Sequence, residues 1–327
     1  MGRLAGKRMA KPESEDSRQV VDWLMAGDPA IRWQTQRDLR GVAESTIRRE
    51  RARVAREGWG AQLLALQDDD ARWGGGIYTP KWISTTYTLL LLRSMGLAPN
   101  RQVTRGAERL IEKGLWHDGG INYYPHYGAK FSETCISGMV LAILCWCGFD
   151  DPCVDRLAVY MLERQMKDGG WNCRSTPGYG TATHGSFHTT ITALEALLEY
   201  ERFRPQKAAP VREAQARGRE FLLIHRLYRS HRTGEVAKPV FLRFVFPPRW
   251  HYDVLRGLDY FQDVGADRDE RLADPIAVLE SQRHADGRWI ANKEYRAKVF
   301  FELETVGEPS RWNTLRALRV LRWWNRS

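Results

Sequence analysis

The chain has 327 residues, 43% of them hydrophobic, which is enough for one large domain with a sizeable core. Its net charge of +10 includes arginine clusters at 48–56 and 311–326, read first as solvated helix faces and otherwise as partners for an anionic substrate or an acidic membrane surface. No run of about 18 apolar residues occurs, which excludes a transmembrane helix, and no recognised nucleic-acid module accompanies the charge, which argues against nucleic acid.

Residues 1–16 are basic, then acidic, and lack an apolar signal core, so they read as a disordered tail preceding a domain at 17–327. Five cysteines, an odd count without framework spacing, suit a reducing, cytoplasmic setting. Ser17–Ala26 is the first predicted helix. Asp28-Pro29 supplies an N-cap with proline at the first helical position, and Ile31–Arg53 follows as one long helix. Amphipathic runs then alternate with more apolar ones. The amphipathic set is Ala55–Gln67, Val103–Leu115, Cys153–Gln165, Val211–Tyr228 and Glu270–Gln282. The apolar set is Thr85–Met95, Thr134–Cys147, His188–Tyr200, Tyr252–Phe261 and Trp312–Trp324. A helix apolar on most faces is buried on most sides, whereas charges at helical spacing keep one face wet.

A short phrase ends four of the five amphipathic runs: QDDDARW at 67–73, LWHDGGI at 115–121, QMKDGGW at 165–171 and QRHADGRW at 282–289. Spacings of 48, 50 and 118 residues between Trp73, Ile121, Trp171 and Trp289 fit a regular repeat with one signature lost. Gln and Asp can bond free backbone groups at helix ends, the glycines suit a tight turn, and the tryptophan can pack between repeats. The phrases therefore read as structural staples. Six consecutive helical hairpins, ending in an apolar Val320–Trp324 segment rather than a polar cap, predict an all-α, closed (α/α)6 toroid.

In such a ring the starts of the inner helices frame one end of a central cavity. Here they are polar or reactive: Thr85–Thr88, Glu133–Ile136, His188–Ile191, Trp250–Asp253 and Arg311–Thr314. Glu133, Cys135 and His188 bring carboxylate, thiolate and imidazole to neighbouring helix starts, three natural zinc ligands. Residues two apart within a helix point about 200° apart, so Glu133 and Cys135 share a metal only if Glu133 lies at or before the N-cap. The plainer alternatives are an inert core cysteine, a hydrogen-bonded histidine and a dipole-partnering glutamate. His126, His184 and Cys173 are substitute ligands in nearby loops.

These repeats resemble the superfamily of squalene cyclases and protein prenyltransferase β subunits. Lys130-Phe131-Ser132-Glu133-Thr134-Cys135 resembles the zinc segment of farnesyl- and geranylgeranyltransferase β subunits, with Glu133 in place of their Asp, and Phe187-His188-Thr189 resembles their aromatic-His-Thr segment. The resemblance implies an isoprenoid-handling enzyme, most concretely a zinc-dependent transferase acting on a prenyl diphosphate. It implies zinc on Glu133, Cys135 and His188, Lys130 touching diphosphate, Tyr87 lining the isoprenoid pocket, and a partner subunit. Trp250, Trp312 and Asn313, at other inner-helix starts, join the substrate-binding candidates. A second reading is a metal-free terpenoid cyclase of class II type. The chain lacks the D-x-D-D motif of those enzymes, and Asp253 beside His251 would be the general acid. A third is a non-catalytic toroid binding a lipid, glycan or protein.

Overall fold

The structure, a computed structural model, describes residues 15–124, 128, 130–173 and 182–326. The expected tail lies outside the described residues as far as residue 14, and residues 15 and 16 already belong to the first helix. Helices follow in pairs: α1 (Glu15–Met25) with α2 (Pro29–Thr35), then, after α3 (Glu44–Arg53), α4 (Gly58–Ala65) with α5 (Thr85–Ser94), and α6 (Arg101–Gly114) with α7 (Thr134–Trp146). The remaining pairs are α8 (Pro152–Glu163) with α9 (Phe187–Phe203), α10 (Ala208–Ile224) with α11 (Val254–Asp263), and α12 (Ala273–Ser281) with α13 (Arg311–Trp324).

The second member of each pair stands in an inner ring. α5 packs on α7, α7 on α9, α9 on α11, and α11 on α13. The last inner helix returns to the first, since α13 packs on α2. The Trp33 indole and Gln34 amide of α2 donate to the carbonyls of Met95 (2.8 Å) and Ser94 (3.2 Å) at the end of α5, which completes the closure. α7 is buried at Thr134 and at every position from Ile136 to Cys145. α6 buries only the helical stripe Val103, Gly106, Ala107, Leu110 and Gly114. The inner and outer patterns therefore sort as the hydrophobic periodicity requires.

The recurring phrase is a staple with a definite chemistry. The indole N–H of Trp73, Trp171 and Trp289 donates to the carbonyl ten residues earlier, on Leu63, Met161 and Leu279, at the end of the preceding outer helix. The backbone N–H of the same tryptophans donates to a threonine hydroxyl on the next inner helix: Thr85, Thr190 and Thr314. The indole edge of Trp73 presses on Gly106 and that of Trp171 on Gly218, where a Cβ would lie 2.6 and 2.7 Å from the ring. Gln165 donates to Gly169 and to Ala214 of the next outer helix. Asp168 accepts from the N–H groups of Gly170 and Gly185. The repeat missing from the sequence is present in the backbone: the bridge Arg229↔Val236 matches Gln67↔Trp73 and Leu115↔Ile121.

One predicted element is corrected. Ile31–Arg53 is not one helix: α2 passes into a π turn (Gln36–Arg40), which ends at Gly41 in the left-handed conformation (φ 59°) before α3 begins. Gly41 donates its N–H to the Gln36 carbonyl and so caps the turn, a role that glycine fills without steric cost. No helix among the described residues is long and apolar enough to cross a membrane.

The starts of α5, α11 and α13 are largely covered. Loops preceding α5, α11 and α13 fold across them. Trp82 donates to the Tyr295 carbonyl (2.7 Å), and the Asn313 amide donates to the carbonyls of Phe244 (3.0 Å) and Ile290 (2.9 Å). These bonds tie distant segments into one cover, which forms a floor beneath α5, α11 and α13.

Candidate functional site

The floor gathers most of the residues singled out from sequence. The His251 ring lies between Trp250 and Tyr295, with centroids 3.7 and 3.3 Å away. The His188 Nδ1 accepts the Tyr252 N–H at 2.9 Å. Burial pushes His251 down to about 3 and His188 to about 4, so both rings are neutral near neutral pH. Asp253 is the N-cap of α11 and accepts from the N–H groups of Arg256 (2.7 Å) and Val245 (3.2 Å). Burial raises its pKa above the ordinary carboxyl value. Asn313 is committed to the floor carbonyls just described, and Lys130 is exposed.

Glu133 is the N-cap residue of α7, which is the position that lets it share a ligand with Cys135. The Cys135 sulfur stands 3.8 Å from Glu133 Oε2 and 3.2 Å from the Cys173 sulfur. One ligand atom from each of these three residues lies within 4.8 Å of the others, and His188 is not in the group. Cys173 stands where His188 was expected, because Trp171, stapled two residues earlier, fixes the backbone that leads to it. His126 lies outside the described residues. The hydrogen bond to Cys173, then burial, pushes the Cys135 thiol well up. Two sulfurs and a carboxylate form a donor set that suits zinc or another thiophilic ion. Cys135 sits one turn before Gly138 and Met139 on α7.

Gly138 and Met139 line the central cavity expected of the ring. A cavity of about 510 Å³ runs down the axis of the ring. Arg37, Arg202 and Asp263, near the other ends of the inner helices, are exposed and mark its mouth. Tyr87, Pro247, Arg249 and Trp312, all buried, close it at the floor, where Phe246 stacks on Trp312 at 4.0 Å. Of the predicted site residues, Tyr87 and Trp312 line this cavity, whereas Asp253, His251 and His188 are not among its lining residues.

The wall has two faces. Leu90, Leu91, Met139, Ala142 and Leu198 form an apolar strip. α9, α11 and α13 contribute ion pairs: Arg256 with Glu195 (2.7 Å), and Arg316 (3.2 Å) and Arg319 (2.5 Å) with Asp259. The lining holds eight arginines against four carboxylates, so the interior carries an excess of positive charge. This corrects the reading of the 311–326 arginines as solvated, since Arg316 is buried and Arg319 only partly exposed. A signal was present: Trp312, Arg316 and Arg319 fall at i, i+4 and i+7, one face of a helix that is otherwise largely apolar.

No family model and no curated protein matches the chain. Among solved structures it is similar to a protein from Actinoplanes, at 14% identity and a TM-score of 0.47, over 94% of this chain and 98% of that one. It is also similar to type II terpene cyclase MstE from Scytonema. A variant in complex with geranylgeranyl dihydroxybenzoate matches at 15% identity and a TM-score of 0.45, over 91% of this chain and 88% of that one. An apo variant matches at 15% identity and a TM-score of 0.44, over 91% and 86%. The toroid itself stands on its own hairpins and on the return of α13 to α2.

Proposed function

We propose that this toroid is an isoprenoid-handling enzyme whose substrate lies in the axial cavity. The two-faced wall carries the reading: an apolar strip for a hydrocarbon chain faces a cationic side for a polar head, in a volume within the usual range of about 300–1,000 Å³ for small-ligand sites. Glu133, Cys135 and Cys173 fit a zinc ion by donor type, and zinc would supply a Lewis acid that holds an acceptor thiol as thiolate. Tyr87, Phe246 and Trp312 give the floor aromatic surfaces that shield from water whichever end of the substrate lies against it. A metal-free cyclisation is the second reading. It uses Asp253, a desolvated carboxyl with a raised pKa, and requires that group to reach the substrate from behind the cavity lining.

Farnesol and geranylgeraniol are expected to bind the wild type and to lose affinity in Ala142→Phe, which fills the apolar strip. If neither alcohol binds, the reading fails. Elemental mass spectrometry on untagged protein decides between the chemistries. About one zinc per chain, lost in both Cys135→Ala and Cys173→Ala, supports transfer. Metal-free protein that turns over an isoprenoid, and is silenced by Asp253→Asn, supports cyclisation.

A further inference from the structure

We propose that the floor of the axial cavity is an oxyanion subsite for a phosphate or diphosphate group, built by Arg249, Arg316 and Trp312. The inference rests on the cavity being the ligand site, and it concerns donors that the protein itself leaves unused. The Arg316 side chain is 5% exposed; its Nε donates to Asp259 at 3.2 Å, and its Nη1 has no partner among the described residues. The Arg249 side chain is also 5% exposed; its Nη2 donates to Glu294 at 3.1 Å, and both Nε and Nη1 are left over. The Trp312 indole N–H is likewise unpartnered, one helical turn before Arg316 on the same face of α13.

A buried donor without an acceptor costs free energy, and a buried guanidinium costs more than a neutral group. Three such side chains lining one cavity point to an acceptor that arrives with the ligand. Burial also pushes the Arg249 guanidinium below its ordinary pKa, a penalty a bound anion relieves. Its backbone is held at φ 55°, a region that non-glycine residues rarely adopt, and such strain concentrates at binding sites. A carboxylate offers about four acceptor sites, whereas these unused nitrogens, on two segments, carry more N–H bonds than that and call for a group with more acceptors. A phosphoryl group supplies them and matches the arginine fork. The group is either free phosphate or diphosphate, or the head of a larger ligand.

The test is calorimetric titration of inorganic pyrophosphate into the full chain at low salt. Saturable binding to the wild type is expected, weaker by about tenfold or more in Arg316→Gln and in Arg249→Gln and unchanged in Arg48→Gln, an exposed residue outside the cavity. No binding to the wild type, or wild-type affinity in both cavity variants, overturns the subsite. If one variant fails to fold, the other and the wild-type titration still decide. Farnesol, a hydrocarbon chain without an anionic head, separates the two inferences. Farnesol bound and pyrophosphate refused removes the subsite and leaves the isoprenoid reading; the reverse keeps the subsite and removes that reading. Farnesyl diphosphate binding more tightly than pyrophosphate identifies the lipid head group, and equal affinity identifies the free anion; either outcome supports the subsite.

Discussion

Replacing Trp171 with alanine is expected to lower the free energy of unfolding by about 3–5 kcal/mol, read from chemical denaturation. The side chain is fully buried, and its removal opens a cavity bounded by three helices. It also ends a 2.7 Å bond to the Met161 carbonyl and the contact with Gly218 of the next outer helix. Trp171→Phe keeps most of the volume and strands the Met161 carbonyl, so its cost is expected to be smaller, about 1–3 kcal/mol. Gly218→Ala strikes the joint from the other side, since its Cβ would sit 2.7 Å from the indole and from Leu194. If Trp171→Ala proves as stable as a surface substitution, the phrase is not the staple that joins neighbouring repeats.

The same staple explains how much of the architecture could be read in advance. Its parts are contiguous in sequence: a glutamine that ends the outer helix, an aspartate that holds the turn, and a tryptophan that locks both to the next threonine. Local chemistry of this kind survives in a linear reading. The break at Gly41 was hidden because Leu39 and Val42 continue an apolar pattern through it, and only the left-handed backbone reveals the stop. The floor was hidden for a different reason. Trp82 meets Tyr295, and Asn313 meets Phe244, across separations in the chain that no periodicity reports.

At the site, the sequence brought Glu133 and Cys135 to the correct helix start, because a helix N-terminus is recognisable from its own residues. The third member of the group depended on where a loop returns. His188 is turned to the Tyr252 N–H, and Cys173, carried past Trp171, stands beside Cys135 instead. The charged wall was the larger omission. A count of arginines does not say which face of a helix looks into a cavity, and α13 carries outward and inward arginines on the same fourteen residues. The distinction appears only once α13 is seen to close the ring between α11 and α2.

That wall gives the second large effect. Asp259 lies between two guanidiniums, Arg316 and Arg319, and Arg319 also reaches Asp38 at 3.6 Å across the closure of the ring. Asp259→Ala leaves those cations facing each other in the cavity and is expected to cost about 3–5 kcal/mol of stability. Burial pushes the Asp259 carboxyl up, and the Arg319 and Arg316 charges outweigh it, so the folded pKa lies below the ordinary value. A carboxylate depressed in this way contributes stability that is present above its unfolded pKa of about 3.9 and is lost as pH falls through the folded value. The gap between wild type and Asp259→Asn should therefore be wide at neutral pH and should shrink on acidification below about pH 4. An equal gap at both pH values would mean that shape, not charge, is what Asp259 supplies. The folded variant should also hold pyrophosphate more tightly than the wild type, because Arg316 then has a second donor to offer the anion.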